Sequence, residues 1–161
     1  MLTIRLAEPR DFDAIWSILG PVVRAGEVFT LDREMTRDTG LAYWFSDGHE
    51  VFVAEADRIV VGSYYLRANQ RGGGSHVANC GYMTAAAATG NGVARTMCEH
   101  SLERARSRGF KAMQFNFVIC SNERAVRLWK SCGFDILCTL PKVFLHPRLG
   151  YVDAFVMYRE L

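Results

Sequence analysis

Asn122-Glu123-Arg124-Ala125-Val126-Arg127-Leu128-Trp129-Lys130-Ser131-Cys132-Gly133-Phe134 is a helix with both of its ends written into the sequence. Asparagine is a favoured N-cap, because its side-chain oxygen accepts from one of the orphan N–H groups of the first turn. Ala125, Leu128, Trp129 and Cys132 recur at three- and four-residue spacing and so share one face. Gly133 can take the left-handed conformation that closes a helix. Taken alone, this is an ordinary capped helix, and its weight comes from what precedes it. Residues 112–120 form an apolar run that reads as a strand, interrupted by Gln114 and Asn116. Before that, residues 92–108 read as a long amphipathic helix with the stripe Val93, Met97, Cys98, Leu102 and Ala105, ended by Gly109.

The mouth of that longer helix is Thr89-Gly90-Asn91-Gly92-Val93-Ala94. Glycine lets the backbone turn tightly and approach a ligand closely, while the unpaired N–H groups and the positive end of the helix dipole favour an anion. A pyrophosphate would suit such a site. By itself a glycine-containing turn more often simply starts a helix. It is neither the nucleoside-triphosphate loop, since no G-K-[ST] follows, nor the dinucleotide fingerprint, since the third glycine is missing.

Further out, residues 2–6 alternate like a strand, and Glu8-Pro9-Arg10-Asp11 opens a helical stretch carrying Ile15, Trp16, Ile18, Leu19 and Val22. The polar stretch with Asp32, Arg33, Glu34 and Asp38 predicts a short second helix ending near Trp44 and Phe45, whose aromatic end is placed to cover a pocket. Residues 51–55 and 59–66 flank Asp57-Arg58 as an antiparallel hairpin, Gly72-Gly73-Gly74 is a flexible loop, and residues 76–84 are another strand. Strand signals follow at 134–140 and 151–158, and no repeat or linker interrupts the chain.

A length of 161 residues, half of them hydrophobic, suits one domain, 1–161, with one substantial core. The 19 basic and 17 acidic residues are dispersed, giving a net charge of +2 and no run to grip nucleic acid or an anionic membrane. Five cysteines, odd in number and without a C-x-x-C pair, point to a reducing cytosol. The charged first fifteen residues do not read as a signal peptide, and no apolar run approaches the ~20 residues of a membrane span. The four histidines lack the close spacings of a metal site, so no metal is expected. The expectation is a soluble, cytoplasmic protein with a small-molecule partner.

Joined at this separation, the 89–94 and 122–134 motifs resemble the GCN5-related N-acetyltransferase (GNAT) family. Its pattern is Q/R-x-x-G-x-G/A, a helix and strand, then N-x-x-A-x-x-x-Y-x-x-x-G-F. The resemblance spans most of the chain and implies an α/β fold: a mixed, mainly antiparallel sheet of about six or seven strands flanked by helices on both faces. It implies acetyl-CoA as co-substrate, with the pyrophosphate held by the 89–94 loop and the pantetheine arm admitted between splayed strands. The coenzyme residues it designates are Met83, Thr84, Thr89, Gly90, Asn91, Gly92, Val93, Ala94, Asn122 and Trp129. It also leaves a homodimer open. Two departures stand out. Thr89 replaces the family's arginine or glutamine, which predicts weaker coenzyme binding. Trp129 replaces a tyrosine that protonates the departing thiolate; an indole N–H donates a hydrogen bond but is no acid. A thiol with a pKa of roughly 8.5 leaves tolerably near neutrality without one.

Asn79-Cys80-Gly81-Tyr82-Met83, residues 113–122 and Leu140-Pro141 with residues 146–154 resemble a narrower group, the azetidine-2-carboxylate (proline-analogue) N-acetyltransferases of yeast and bacteria. That resemblance implies an amino-acid or toxic-analogue acceptor, hence detoxification, with Asn79 and Asn116 as catalytic and substrate-binding residues and Asn122 by the coenzyme. Tyr82 is added as a substrate contact and a substitute acid. An unpaired buried amide costs roughly 1–3 kcal/mol, so Asn116 in an apolar strand needs partners, whether backbone or ligand. Attack is expected to be direct, with Cys80 packing rather than carrying an acyl group. His76, Asp153 or asparagine-held water are the candidates for the base. Another acceptor, such as an aminoglycoside, a polyamine or a protein N-terminus, and a non-catalytic acyl-CoA sensor are the alternatives.

Overall fold

In the computed structural model, which describes all 161 residues, seven strands form one sheet. The strands are β1 (Leu2–Leu6), β2 (Glu50–Ala56), β3 (Ile59–Ala68), β4 (Val77–Thr84), β5 (Ala112–Ile119), β6 (Asp135–His146) and β7 (Gly150–Glu160). Their order is β1-β2-β3-β4-β5-β7-β6, and every pairing is antiparallel except β4 with β5. Four helices cover it: α1 (Phe12–Ala25), α2 (Arg37–Trp44), α3 (Val93–Ser107) and α4 (Glu123–Ser131).

Strand alternation sends successive side chains to opposite faces, and each face has its own core. On one, Val51, Val53, Tyr65 and Met83 meet Ile15 and Leu19 of α1 and Leu41 and Trp44 of α2. On the other, Phe52, Tyr64, Cys80 and Phe115 meet Met97 and Leu102 of α3 and Trp129 of α4. The helices therefore flank both faces, as the resemblance implied.

Several boundaries move. Asp32 accepts from the Glu34 N–H in a local turn, and α2 starts only at the Thr36/Thr39 capping box. Of the aromatic end of α2, Tyr43 lines a cavity, whereas Trp44 is fully buried with its indole N–H on Ser63 Oγ at 2.9 Å, and Phe45 stacks edge-on against Phe12. Strand β6 continues six residues beyond the predicted end, because a bulge absorbs Pro141 and Lys142, the latter at φ +51°.

Candidate functional site

The feature that positions the site is the parallel pair β4/β5. Its register holds only for Val77 with Ala112 and Ala78 with Met113, after which the strands separate. The N–H of Asn69 bonds Val77 O and that of Ala85 bonds Val61 O, so the odd-numbered residues of β4 serve β3. Alternation then turns the backbone groups of Tyr82 and Thr84 towards β5, where no strand meets them. The gap opens onto a cavity of about 630 Å³ that reaches from the 89–94 loop to the α1–α2 side of the sheet.

At one end lies the mouth of α3. Gly90 and Gly92 have φ of +93° and +80°, values that only glycine adopts freely. The N–H groups of Gly90, Gly92, Val93, Ala94 and Arg95 form no hydrogen bond within the protein. Five unpaired donors at the positive end of a fifteen-residue helix make an anion cradle. Thr89 lines this end, with its hydroxyl on Ala85 O at 3.3 Å. Asn91 departs from expectation: it is exposed, does not line the cavity, and its N–H is taken by Ala88 O. The sequence reading also missed two cations here. Arg124, at the start of α4, lies so close over the loop that a Cβ on Gly90 would be 3.2 Å from its Nη2. Arg95 also lines the cavity, with Nη2 on Ser131 Oγ at 2.8 Å. A cation therefore reaches the loop from α4 where Thr89 supplies none.

In the middle, Trp129 packs against Tyr82 and Phe115 with centroids 4.9 and 5.0 Å apart, and its indole N–H has no protein acceptor. Asn122 caps α4 through Oδ1, which accepts from the Ala125 N–H at 3.3 Å, and its Nδ2 is uncommitted. Tyr82 and Met83 both line the cavity, from opposite faces of β4. Tyr82 faces α3, away from Asn79, with its hydroxyl on Ser101 Oγ at 2.7 Å; burial pushes that phenol well above its usual range, so the ring, not the hydroxyl, is available. Met83 belongs to the β3 ladder opposite Ser63 and packs with α1, which leaves Thr84 as the one of that pair whose backbone faces the gap. Burial also pushes the Cys80 thiol up to about 12, a neutral group unsuited to carrying an acyl chain.

The far end is polar and bonded together. Asn79 Nδ2 donates to Gln114 O at 2.9 Å, just where β4 and β5 part, and Asn79 Oδ1 accepts from Arg67 Nε at 3.2 Å. Asn116 Oδ1 accepts from Gln114 Nε2 at 2.9 Å, while its Nδ2 donates to Asn69 Oδ1 at 2.7 Å. Asn79 and Asn116 thus share a face and an amide network at the cavity wall, Asn79 buried and Asn116 half-buried. Tyr65 lies flat across Gly81, where any Cβ would come within 2.6 Å of its ring, and the Tyr65 and Tyr43 hydroxyls meet at 3.2 Å. Neither side-chain candidate for the base reaches the site: His76 is exposed on the approach to β4, and Asp153 Oδ1 accepts from the Lys142 N–H in the β6 bulge. No carboxylate and no histidine lines the cavity; its charged residues are Arg67, Arg95 and Arg124.

A parallel strand pair parted beside an anion-ready helix mouth is the arrangement that the family resemblance implied. The acetyltransferase (GNAT) family matches residues 14–134, and the chain belongs to that family. It is 26% identical over 151 residues to N-acetyltransferase aca1 of Schizosaccharomyces pombe, covering 83% of this chain and 72% of that protein. A GCN5-related N-acetyltransferase from Kribbella flavida superposes with a TM-score of 0.95 at 40% identity, over 99% of this chain and 98% of that one. The yncA protein of Salmonella typhimurium, a structure that holds acetyl-CoA, superposes with a TM-score of 0.87 at 25% identity, over 100% and 94% of the two chains.

Proposed function

We propose that this chain, one domain over residues 1–161, transfers acetyl from acetyl-CoA to the amine of a small molecule, an amino acid or toxic analogue, by direct attack. The observation that carries the proposal is the parted β4/β5 pair leading to five unpaired N–H groups at α3. The pyrophosphate would lie on those donors, with Arg124 and Arg95 beside it, and the pantetheine arm would take the Tyr82–Thr84 backbone and Asn122 Nδ2 as partners. The yncA structure from Salmonella typhimurium holds acetyl-CoA, which supports the choice of donor.

The amine enters from the Asn79–Asn116 side as its neutral form, after the ammonium has lost a proton to water. Its lone pair attacks the thioester carbonyl carbon; the C–N bond forms, the C–S bond breaks with its electrons going to sulfur, and the remaining N–H proton ends on the thiol. Trp129 supplies a hydrogen-bond donor but no proton, and the leaving thiolate needs none to depart near neutrality. Thiol release from acetyl-CoA in the presence of amines tests the proposal; a binding module would bind the coenzyme and release nothing.

A cytoplasmic location belongs to the same proposal, supported by five free cysteines. So does a homodimer: Leu137, Leu145, Leu149 and Tyr151 are each at least 60% exposed along the β6–β7 hairpin, an apolar surface that a second copy would cover. Light scattering at micromolar concentration distinguishes dimer from monomer.

A further inference from the structure

The cavity is charged at both ends, and both charges are positive. Arg95 and Arg124 stand by the anion cradle, but Arg67 stands apart, on β3 directly opposite Asn79 and on the face that Asn79 shares with Asn116. Three features mark it as a ligand group rather than a structural one. Its Nε is held by Asn79 Oδ1, and Asn79 is held in turn by Gln114 O, so the guanidinium is fixed in orientation. Its two terminal nitrogens, which carry four of the five N–H donors, have no acceptor in the protein. No carboxylate lines the cavity to neutralise it.

We infer that Arg67 binds the carboxylate of the acceptor, which makes the acceptor a zwitterionic amino or imino acid rather than a simple amine or a polycation. This rests on the acetyltransferase reading above and narrows its substrate. A planar fork of free N–H groups matches a carboxylate in two parallel hydrogen bonds, a geometry an ammonium cannot use. With Arg95 and Arg124 engaged by the pyrophosphate, an aminoglycoside or polyamine would bring several positive charges against Arg67, with no carboxylate in the cavity to offset them. Asn79 is then a positioning residue that aims the fork.

The test pairs each acid with its uncharged carboxamide: L-proline with L-prolinamide, and azetidine-2-carboxylate with azetidine-2-carboxamide. Thiol release is recorded for the native protein, Arg67→Gln and Arg67→Lys, and calorimetry measures each probe on CoA-loaded protein. The native protein should prefer the acids. Arg67→Gln should lower kcat/KM for the acids by roughly 10- to 150-fold, the range for losing hydrogen bonds to a charged group, and change the carboxamides less than about twofold. Arg67→Lys, which keeps the charge without the fork, should fall between. Equal losses on acid and carboxamide would overturn the inference, as would a native preference for carboxamide or polyamine. If no amine yields thiol although acetyl-CoA binds, the acetyltransferase proposal fails. Calorimetry still decides the Arg67 assignment: tighter acid binding that disappears in Arg67→Gln supports it, and identical binding of acid and carboxamide refutes it.

Discussion

Replacing Arg124 by glutamine should weaken acetyl-CoA binding without touching the acyl-transfer chemistry. Arg124 Nη2 lies 3.2 Å from the Cβ position of Gly90, so a phosphate seated on the 89–94 loop would be on the order of 5 Å from the guanidinium. At that distance two unit charges interact by about 0.8 kcal/mol in a water-like dielectric and about 3 kcal/mol at an effective dielectric of ~20. Arg124 is an exposed residue, so the lower figure governs, and about 1 kcal/mol corresponds to a roughly fivefold rise in Kd. Adding Arg95→Gln should bring the loss to about 25-fold if the two act independently. Titration calorimetry with acetyl-CoA reads the affinity, and the difference should shrink in high salt as screening grows. Acetyl-pantetheine, which has the thioester but no phosphates, is the control: its kcat/KM should be unchanged. An unaltered Kd in the double variant would refute the compensation for Thr89. A parallel loss with acetyl-pantetheine would show that the arginines act on something other than the pyrophosphate.

Asn116→Ala should lower kcat/KM for the acceptor while leaving acetyl-CoA affinity within about twofold, since it strands Gln114 and Asn69 at the acceptor end only; unchanged turnover in both Asn116→Ala and Asn79→Ala would remove these residues from the site. Cys80 should resist iodoacetamide at pH 8 in the folded protein and react only after denaturation, as peptide mapping by mass spectrometry would show; rapid native labelling would contradict a buried, neutral thiol. Burial holds the pKa of both His49 and His100 below the usual value of 6.5, so the unfolded chain takes up protons first as pH falls. Stability should therefore decline from about pH 6.5 downwards, ending below the depressed folded values, and His100→Gln should flatten that part of the Tm–pH curve. A Tm that rises on acidification through this range would reverse the sign.

Much of this was legible in one dimension because it is local. The Asn122 cap, the Gly133 stop and the glycines at 90 and 92 are properties of short segments, and each is found where the sequence placed it. The missed features depend on tertiary neighbours. Nothing in the spacing of Asn122-Glu123-Arg124 says that the arginine will overhang a loop some thirty residues earlier; only the packing of α4 beside α3 brings them together. Arg67 carried a readable signal, a lone cation ending the apolar run 59–66 with Asn79 opposite it across the strand pair, but its meaning depends on a cavity without carboxylates. Asn79 and Tyr82 are both expected at the substrate, although their odd spacing along β4 puts them on opposite faces. The strand signal ends at residue 140 in the sequence because Pro141 cannot donate to a ladder, whereas in the fold a bulge at the sheet edge carries the strand past it.

The central claim, acetyl transfer to a carboxylate-bearing amine, is tested most directly by thiol release from acetyl-CoA across a panel of azetidine-2-carboxylate, proline, an aminoglycoside, a polyamine and a short peptide. Release with the amino and imino acids, and none with the polycations, is the predicted result. Faster release with the polyamine or the aminoglycoside, or no release from a protein that binds acetyl-CoA, would contradict it.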